Sequence, residues 1–161
     1  MVDLSFVKPL FLPDEEATLE LGRKLGLFFT SRGFFPAVFF CGELGTGKTT
    51  MIRGIVSALP GGDEAEVSSP SFNLANIYPT RPETLHVDLY RLQGLEPDQD
   101  VEELLAGQER LILLEWGDFL PESQRPRDRV DISLKFCNGS REALITLSGE
   151  GEKLRSSSIC G

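Results

Sequence analysis

Apolar residues recur along this chain in two rhythms, and the alternation between them predicts the order of its elements. Residues 13–25 open with Pro13, Asp14, Glu15 and Glu16 and then place Ala17, Leu21 and Leu25 four apart, which predicts a helix whose acids suit its N-terminal dipole. The uninterrupted runs Ala37-Val38-Phe39-Phe40 and Leu111-Ile112-Leu113-Leu114 predict strands buried on both faces. Weaker strands are expected at residues 4–10 and at Thr84-Leu85-His86-Val87-Asp88, helices at residues 49–59 and 97–105, the second closed by Gly107. Alternating segments at residues 130–136 and 143–147 flank Asn138-Gly139, a hairpin signal. Residues 60–63 read as a turn, and residues 67–78 are too polar for a central strand. These elements predict an α/β fold: a mixed central sheet with helices on both faces and a C-terminal β-hairpin.

Length and composition narrow the picture. The 161 residues, 40% apolar and 25% charged, suit one globular domain, here residues 1–148, with 149–161 as a flexible tail. No apolar run approaches the ~20 residues that span a bilayer, and the N-terminus lacks the layout of a signal peptide. No membrane association and a cytoplasmic location are therefore expected. Cys41, Cys137 and Cys160, with no CxxC pattern, point to neither a disulfide framework nor a zinc site. A formal charge of −9 argues against broad contact with a nucleic-acid backbone, which needs clustered cations. Arg125, Arg127 and Arg129 are the one local cluster and are expected in a solvated loop.

The chemistry concentrates just after the first buried run. Gly42-Glu43-Leu44-Gly45-Thr46-Gly47-Lys48-Thr49 fits the phosphate-binding pattern G-x-x-x-x-G-K-[ST] between a predicted strand and a predicted helix. Glycines let successive N–H groups turn towards an anion, and the helix N-terminus adds its dipole. In that pattern Lys48 reaches the β- and γ-phosphates and Thr49 ligates Mg²⁺; both are expected to face solvent. Hydrolysis further needs a carboxylate behind the Mg²⁺ and a group that orients water. Glu115 and Asp88 each end a predicted strand and are the candidates. Alternation puts His86 on the same face as Asp88, where a hydrogen bond between them is expected.

Longer strings surround these residues. Leu114-Glu115-Trp116, Ser69-Pro70-Ser71-Phe72 and His86-Val87-Asp88-Leu89-Tyr90-Arg91-Leu92, following a G-x-L-G-x-G-K-T-T loop, resemble the bacterial TsaE (YjeE) family over about residues 12–147. The resemblance implies a P-loop NTPase fold and an ATPase supporting threonylcarbamoyladenosine formation at position 37 of tRNAs reading ANN codons. It implies two partner proteins, TsaB and TsaD, with the tRNA held mainly by partners. It also implies MgATP as cofactor, with Thr49 and Glu115 as Mg²⁺ ligands and Lys48, Asp88 and Glu115 as catalytic residues. The nucleotide-binding set it implies is Glu15, Gly42, Leu44, Gly45, Thr46, Gly47, Lys48, Thr49, Thr50 and Ser140, with Arg141 beside the last. Asp88 and Ser69-Pro70-Ser71 match switch-like segments, and Trp116 matches a tryptophan beside the metal.

Two other readings fit a P-loop. The guanine-reading N-K-x-D and D-x-x-G strings of small GTPases do not occur, which favours adenine. A small-molecule kinase would clamp its phosphoryl group with lid arginines, for which residues 125–129 are the candidates. An ATP-gated binding module would need no turnover. Without a recognisable arginine finger, hydrolysis by the isolated chain is expected to be slow and to rise with partners.

Overall fold

The computed structural model of the chain describes residues 8–70, 73–95, 99–106 and 109–149. Seven strands form one sheet: β1 (Leu10–Leu12), β2 (Ala37–Cys41), β3 (Ala75–Tyr78), β4 (Thr84–Asp88), β5 (Leu111–Glu115), β6 (Arg129–Cys137) and β7 (Ser140–Ser148). Their order is β1-β7-β6-β2-β5-β4-β3. The central four, β6, β2, β5 and β4, are mutually parallel; β7 and β3 run antiparallel to them, and β1, antiparallel to β7, runs in the direction of the central four. The sheet is therefore mixed, as the sequence pattern predicts.

Parallel strands buried on both faces need apolar side chains at every position, and β2 and β5 supply them. Val38, Phe40, Leu111 and Leu113 point into one core with α1 (Glu15–Arg32) and α2 (Lys48–Ser57). Phe39, Ile112 and Leu114 point the other way, into a second core that includes Val101 of α3 (Gln99–Leu105). Helices thus cover both faces. Helix α1 begins where predicted, with the Asp14 carboxylate accepting from Ala17 N at 2.8 Å, and runs to a C-cap at Gly33 with φ 59°.

Several boundaries differ from expectation. The first strand lies at Leu10–Leu12 rather than residues 4–10, of which 4–7 are outside the described residues. The polar stretch does yield a strand, β3, but at the sheet edge, where one side of the ladder stays open to water. Helix α3 matches the described part of the predicted acidic helix, while residues 97, 98 and 107 lie outside it. The hairpin turns at Asn138 and Gly139, both at positive φ (48° and 82°), as a two-residue loop requires. Residues 150–161, nearly all of the expected tail, and Cys160 are outside the described residues.

The arginine cluster is a solvated loop only in part: residues 125–128 lie outside helix and strand and Arg127 is exposed, but Arg125 and Arg129 are held by internal partners. Arg129 opens β6, donating to Asp131 at 3.0 Å and to Glu122 at 2.8 Å, and Arg125 donates to the Leu120 carbonyl at 2.7 Å. Ala37 of β2 pairs with Arg129, so the cluster stands at the end of the sheet away from residues 42–47. Among the described residues no helix is long and apolar enough to cross a membrane.

Candidate nucleotide site

The C-terminal ends of parallel strands are where open α/β sheets place their ligands, and here three such ends meet. Asp88 pairs with Glu115, and Glu115 with Phe40, two residues before Gly42. The chain leaves β2 through a loop that turns directly into α2. Gly42 is held so close to β6 that a Cβ there would stand 2.3 Å from the Leu134 carbonyl oxygen; the backbone itself has to fit. Helix α2 starts from Gly47 with no side-chain cap and no acid in its first turn. Its first amides are left to be satisfied by something else, the condition for an anion site.

A cavity of about 830 Å³ opens over this edge. Its walls include Glu15, Leu44, Gly45, Gly47, Lys48, Thr49, Thr50, Ser69, Asp88, Glu115 and Trp116, so most of the residues singled out in the sequence come together. Gly42 and Thr46 do not line it: Thr46 is fully buried, and its hydroxyl donates to the Glu43 carbonyl at 2.8 Å, bracing the loop from within. Ser140 does not line it either. Its hydroxyl donates to the Cys137 carbonyl at 2.8 Å across the hairpin, and the neighbouring Arg141 reaches the cavity instead. Among the described residues the buried Arg141 Nε has no hydrogen-bond partner, and Nη2 lies 3.5 Å from the Gly45 carbonyl.

Lys48 is not solvent-facing; it is 5% exposed. Its Nζ donates to the Gly42 and Glu43 carbonyls at 2.7 and 2.9 Å and sits 4.0 Å from the centroid of the Trp116 ring. Burial holds the ammonium below the ordinary lysine range, while Glu115, Asp88 and Asp118 pull it back up. Trp116 itself adopts φ 59°, rare for a bulky side chain, and stacks on Phe119 with ring centroids 5.4 Å apart. Glu15 receives a hydrogen bond from the Thr50 hydroxyl at 3.4 Å, which places both at one end of α2.

The two acids are wired differently. Glu115 is 3% exposed; its Oε1 accepts from the Thr49 hydroxyl at 2.8 Å and also meets His86 Nε2 at 2.8 Å. Asp88 accepts from the Ser69 hydroxyl at 2.7 Å and, through its other oxygen, from Tyr90 N at 2.9 Å. The expected bond between His86 and Asp88 is therefore replaced by one across strands. In register His86 pairs with Leu113 and Asp88 with Glu115, so Glu115 is the diagonal neighbour of the ring, within reach of a long side chain, while Ser69 and Tyr90 N occupy both Asp88 oxygens. The other ring nitrogen, Nδ1, meets the Tyr78 hydroxyl at 2.9 Å, a partner that sequence spacing had not suggested. Ser71 and Phe72 lie outside the described residues.

Whether this donor set suits Mg²⁺ and a nucleoside phosphate can be judged from its chemistry. Among the described residues no group of three or more His, Cys, Asp or Glu could enclose a metal. One hydroxyl and one carboxylate, Thr49 and Glu115, suit a hard cation that takes its remaining ligands from phosphate and water. The uncapped helix end and Lys48 suit the phosphates. The residues present fit the group.

Comparisons with known proteins follow the same lines. A sequence model of the family described as "Threonylcarbamoyl adenosine biosynthesis protein TsaE" matches residues 12–143. The chain is 34% identical over 140 residues to the tRNA threonylcarbamoyladenosine biosynthesis protein TsaE of Streptomyces coelicolor, covering 83% of this chain and 91% of that one. It is 33% identical over 146 residues to the protein of that description from Nostoc sp., covering 85% and 84%. The crystal structure of Bacillus subtilis YdiB shares its fold, with a TM-score of 0.70 at 24% identity over 94% of this chain and 93% of that chain.

Proposed function

The chain belongs to the TsaE family of threonylcarbamoyl adenosine biosynthesis proteins, and from that premise we propose that it binds and hydrolyses MgATP in support of that tRNA modification. The product we assign is N6-threonylcarbamoyladenosine at position 37 of tRNAs reading ANN codons, made with TsaB and TsaD, which hold most of the tRNA. The observation that carries this reading is the Thr49–Glu115 hydrogen bond at the mouth of a phosphate loop, within reach of a cavity of about 830 Å³. A net charge of −9 supports leaving the tRNA to partners. Residues 1–148 serve as one nucleotide-binding unit on this reading.

Lys48, the α2 amides and the loop backbone bind and orient the phosphates, and Glu15 and Arg141 flank the rest of the nucleotide. Thr49 and Glu115 would hold Mg²⁺, which when bound neutralises charge developing on the phosphate oxygens. Glu115 is already committed to Thr49 and His86 through Oε1, so Asp88 is the carboxylate left to orient water. Yet both Asp88 oxygens accept internal hydrogen bonds, from Ser69 and Tyr90. Turnover by the chain alone is accordingly slow. A partner that draws Ser69 away frees one oxygen and raises the rate.

The kinase alternative loses its lid, since Arg125 and Arg129 brace the far end of the sheet. The decisive experiment is ATP hydrolysis by wild type and Glu115→Ala, with and without TsaB, TsaD and tRNA. Stimulation that requires the partners and vanishes in the variant supports the proposal. Partner-independent phosphoryl transfer to a small molecule, or full support of the modification without turnover, replaces it with a kinase or an ATP-gated module.

A further inference from the structure

The buried hydrogen bonds behind Glu115 form a line that leads out of the nucleotide site. Glu115, His86 and Tyr78 are 3%, 0% and 4% exposed. His86 spans the gap between the other two, with Nε2 2.8 Å from Glu115 Oε1 and Nδ1 2.9 Å from the Tyr78 hydroxyl. The Tyr78 hydroxyl in turn lies 3.2 Å from the Ser68 carbonyl, which also accepts from Asn76 Nδ2 at 3.2 Å. The next residue, Ser69, is the one bonded to Asp88. The loop at residues 68–70 is thus tied to both acids, to Asp88 directly and to Glu115 through two rings.

Donor counting orders this line. An ionised carboxylate only accepts, so His86 Nε2 carries a hydrogen towards Glu115. In the neutral ring Nδ1 is then an acceptor, and its donor is the Tyr78 hydroxyl. Burial pushes that phenol up from its ordinary range, which keeps its hydrogen in place. A phenol has one hydrogen, and two acceptors compete for it: His86 Nδ1 and the Ser68 carbonyl. Donation to the ring secures the orientation in which Nε2 holds Glu115; donation to the loop leaves Nδ1 without a donor and the ring held by Glu115 alone.

We propose that Tyr78 and His86 are positioning residues for the Glu115 carboxylate, and that the single phenolic hydrogen of Tyr78 couples that carboxylate to the loop at residues 68–70. The proposal rests on the reading of Glu115 as a Mg²⁺ ligand, for which a partner that fixes the ligand's orientation affects affinity by roughly tenfold or more. Anything that pulls the loop outward removes a competitor for the phenolic hydrogen and tightens the hold on Glu115. Loop position and metal binding therefore act on each other in both directions.

The test has two arms. His86 is the single histidine and Trp116 the single tryptophan of the chain, so each gives an unambiguous signal. Long-range ¹⁵N NMR of the metal-free protein should show Nε2 bearing hydrogen and Nδ1 accepting a hydrogen bond, and Tyr78→Phe should move the Nδ1 resonance alone. A wild-type ring protonated chiefly at Nδ1, or an Nδ1 resonance unmoved by Tyr78→Phe, would overturn the arrangement. In the second arm, Trp116 fluorescence follows Mg²⁺ titration of the nucleotide-bound protein. Tyr78→Phe should raise the half-saturating Mg²⁺ concentration roughly tenfold. His86→Gln, whose amide can offer N–H near the Nε2 position, should recover most of the affinity that His86→Asn loses. If both His86 variants instead follow their melting temperatures, the pair is merely structural. A wild type indifferent to Mg²⁺ and nucleotide defeats the ATPase reading, while the NMR arm still decides the ring arrangement.

Discussion

The hydroxyl of Thr49, the second residue of helix α2, donates to Glu115 Oε1 at 2.8 Å, joining the start of a helix to the end of a strand 66 positions away in the chain. That same oxygen meets His86 Nε2, so one carboxylate oxygen organises a nucleotide-loop hydroxyl and a fully buried ring. The bonds give Glu115 a structural part beside the Mg²⁺-binding role proposed for it. Glu115→Ala should lose turnover and also destabilise the fold by about 1–3 kcal/mol, because it strands a buried N–H and a hydroxyl without an acceptor. Thr49→Ala removes a donor and leaves Glu115 with His86, so its stability should fall by less than about 1 kcal/mol while MgATP use is lost. Urea unfolding alongside ATP turnover checks both, and equal stability losses in the two variants would contradict the wiring.

Lys48 provides a second case in which binding and stability are joined. Its ammonium braces the loop through the Gly42 and Glu43 carbonyls and faces the Trp116 ring. Lys48→Ala should abolish phosphate binding and lower the melting temperature, the loss of two charge-assisted hydrogen bonds amounting to about 3 kcal/mol or more. Lys48→Arg keeps the charge and could stack on the ring, but its larger planar fork does not fit the buried position from which the ammonium makes two short carbonyl contacts, so affinity should fall with it too. Calorimetric titration with ATP measures the first effect and thermal unfolding the second.

Arg141 rather than Ser140 should carry the hairpin's contribution to the site. Its Nε is a buried donor without an acceptor among the described residues, and its side chain lies beside Gly47 and lines the cavity. Arg141→Ala should weaken ATP binding by about tenfold, the scale of one charge-assisted hydrogen bond, and leave the hairpin paired. Ser140→Ala should change the affinity less than twofold, since its hydroxyl serves the Cys137 carbonyl. Equilibrium binding of a fluorescent ATP analogue to the two variants separates these roles.

Why the sequence disclosed the loop, the strands and both acids but not the Tyr78–His86 connection is a matter of range. Gly42 to Thr49 are contiguous, and the apolar runs before Glu115 and across β2 have one reading, a strand buried on both faces. The acids at strand ends follow from that. Strand order does not: nothing in the spacing of His86 says that β5 lies on one side of it and the edge strand β3 on the other. Spacing alone accordingly pairs the ring with Asp88 on its own strand. Arg125 and Arg129 escape a sequence reading for a related reason, because their acceptors, the Leu120 carbonyl, Asp131 and Glu122, are set by how the chain turns back into β6.

The crossing of α1 and α2 sets where the phosphate loop stands, and glycines set the crossing. A Cβ at Gly54 would lie 2.2 Å from the Leu19 carbonyl oxygen, and one at Gly22 would lie 2.3 Å from that of Met51. Both contacts are to backbone, which cannot rotate away, so the two helices have to separate. Gly54→Ala gains helix propensity worth about 1 kcal/mol, but overpacking at a site this tight costs about 1–3 kcal/mol or more. The net effect should be destabilising. Because Lys48 and Thr49 begin the helix that is pushed outward, ATP affinity should fall as well, although Gly54 lies outside the residues lining the cavity. Gly33→Ala makes a contrasting control: a Cβ there meets nothing within 4 Å, but φ is 59°, so stability should drop without any loss of affinity. Parallel urea unfolding and ATP titrations of the two variants test whether the helix crossing, and not stability in general, positions the loop.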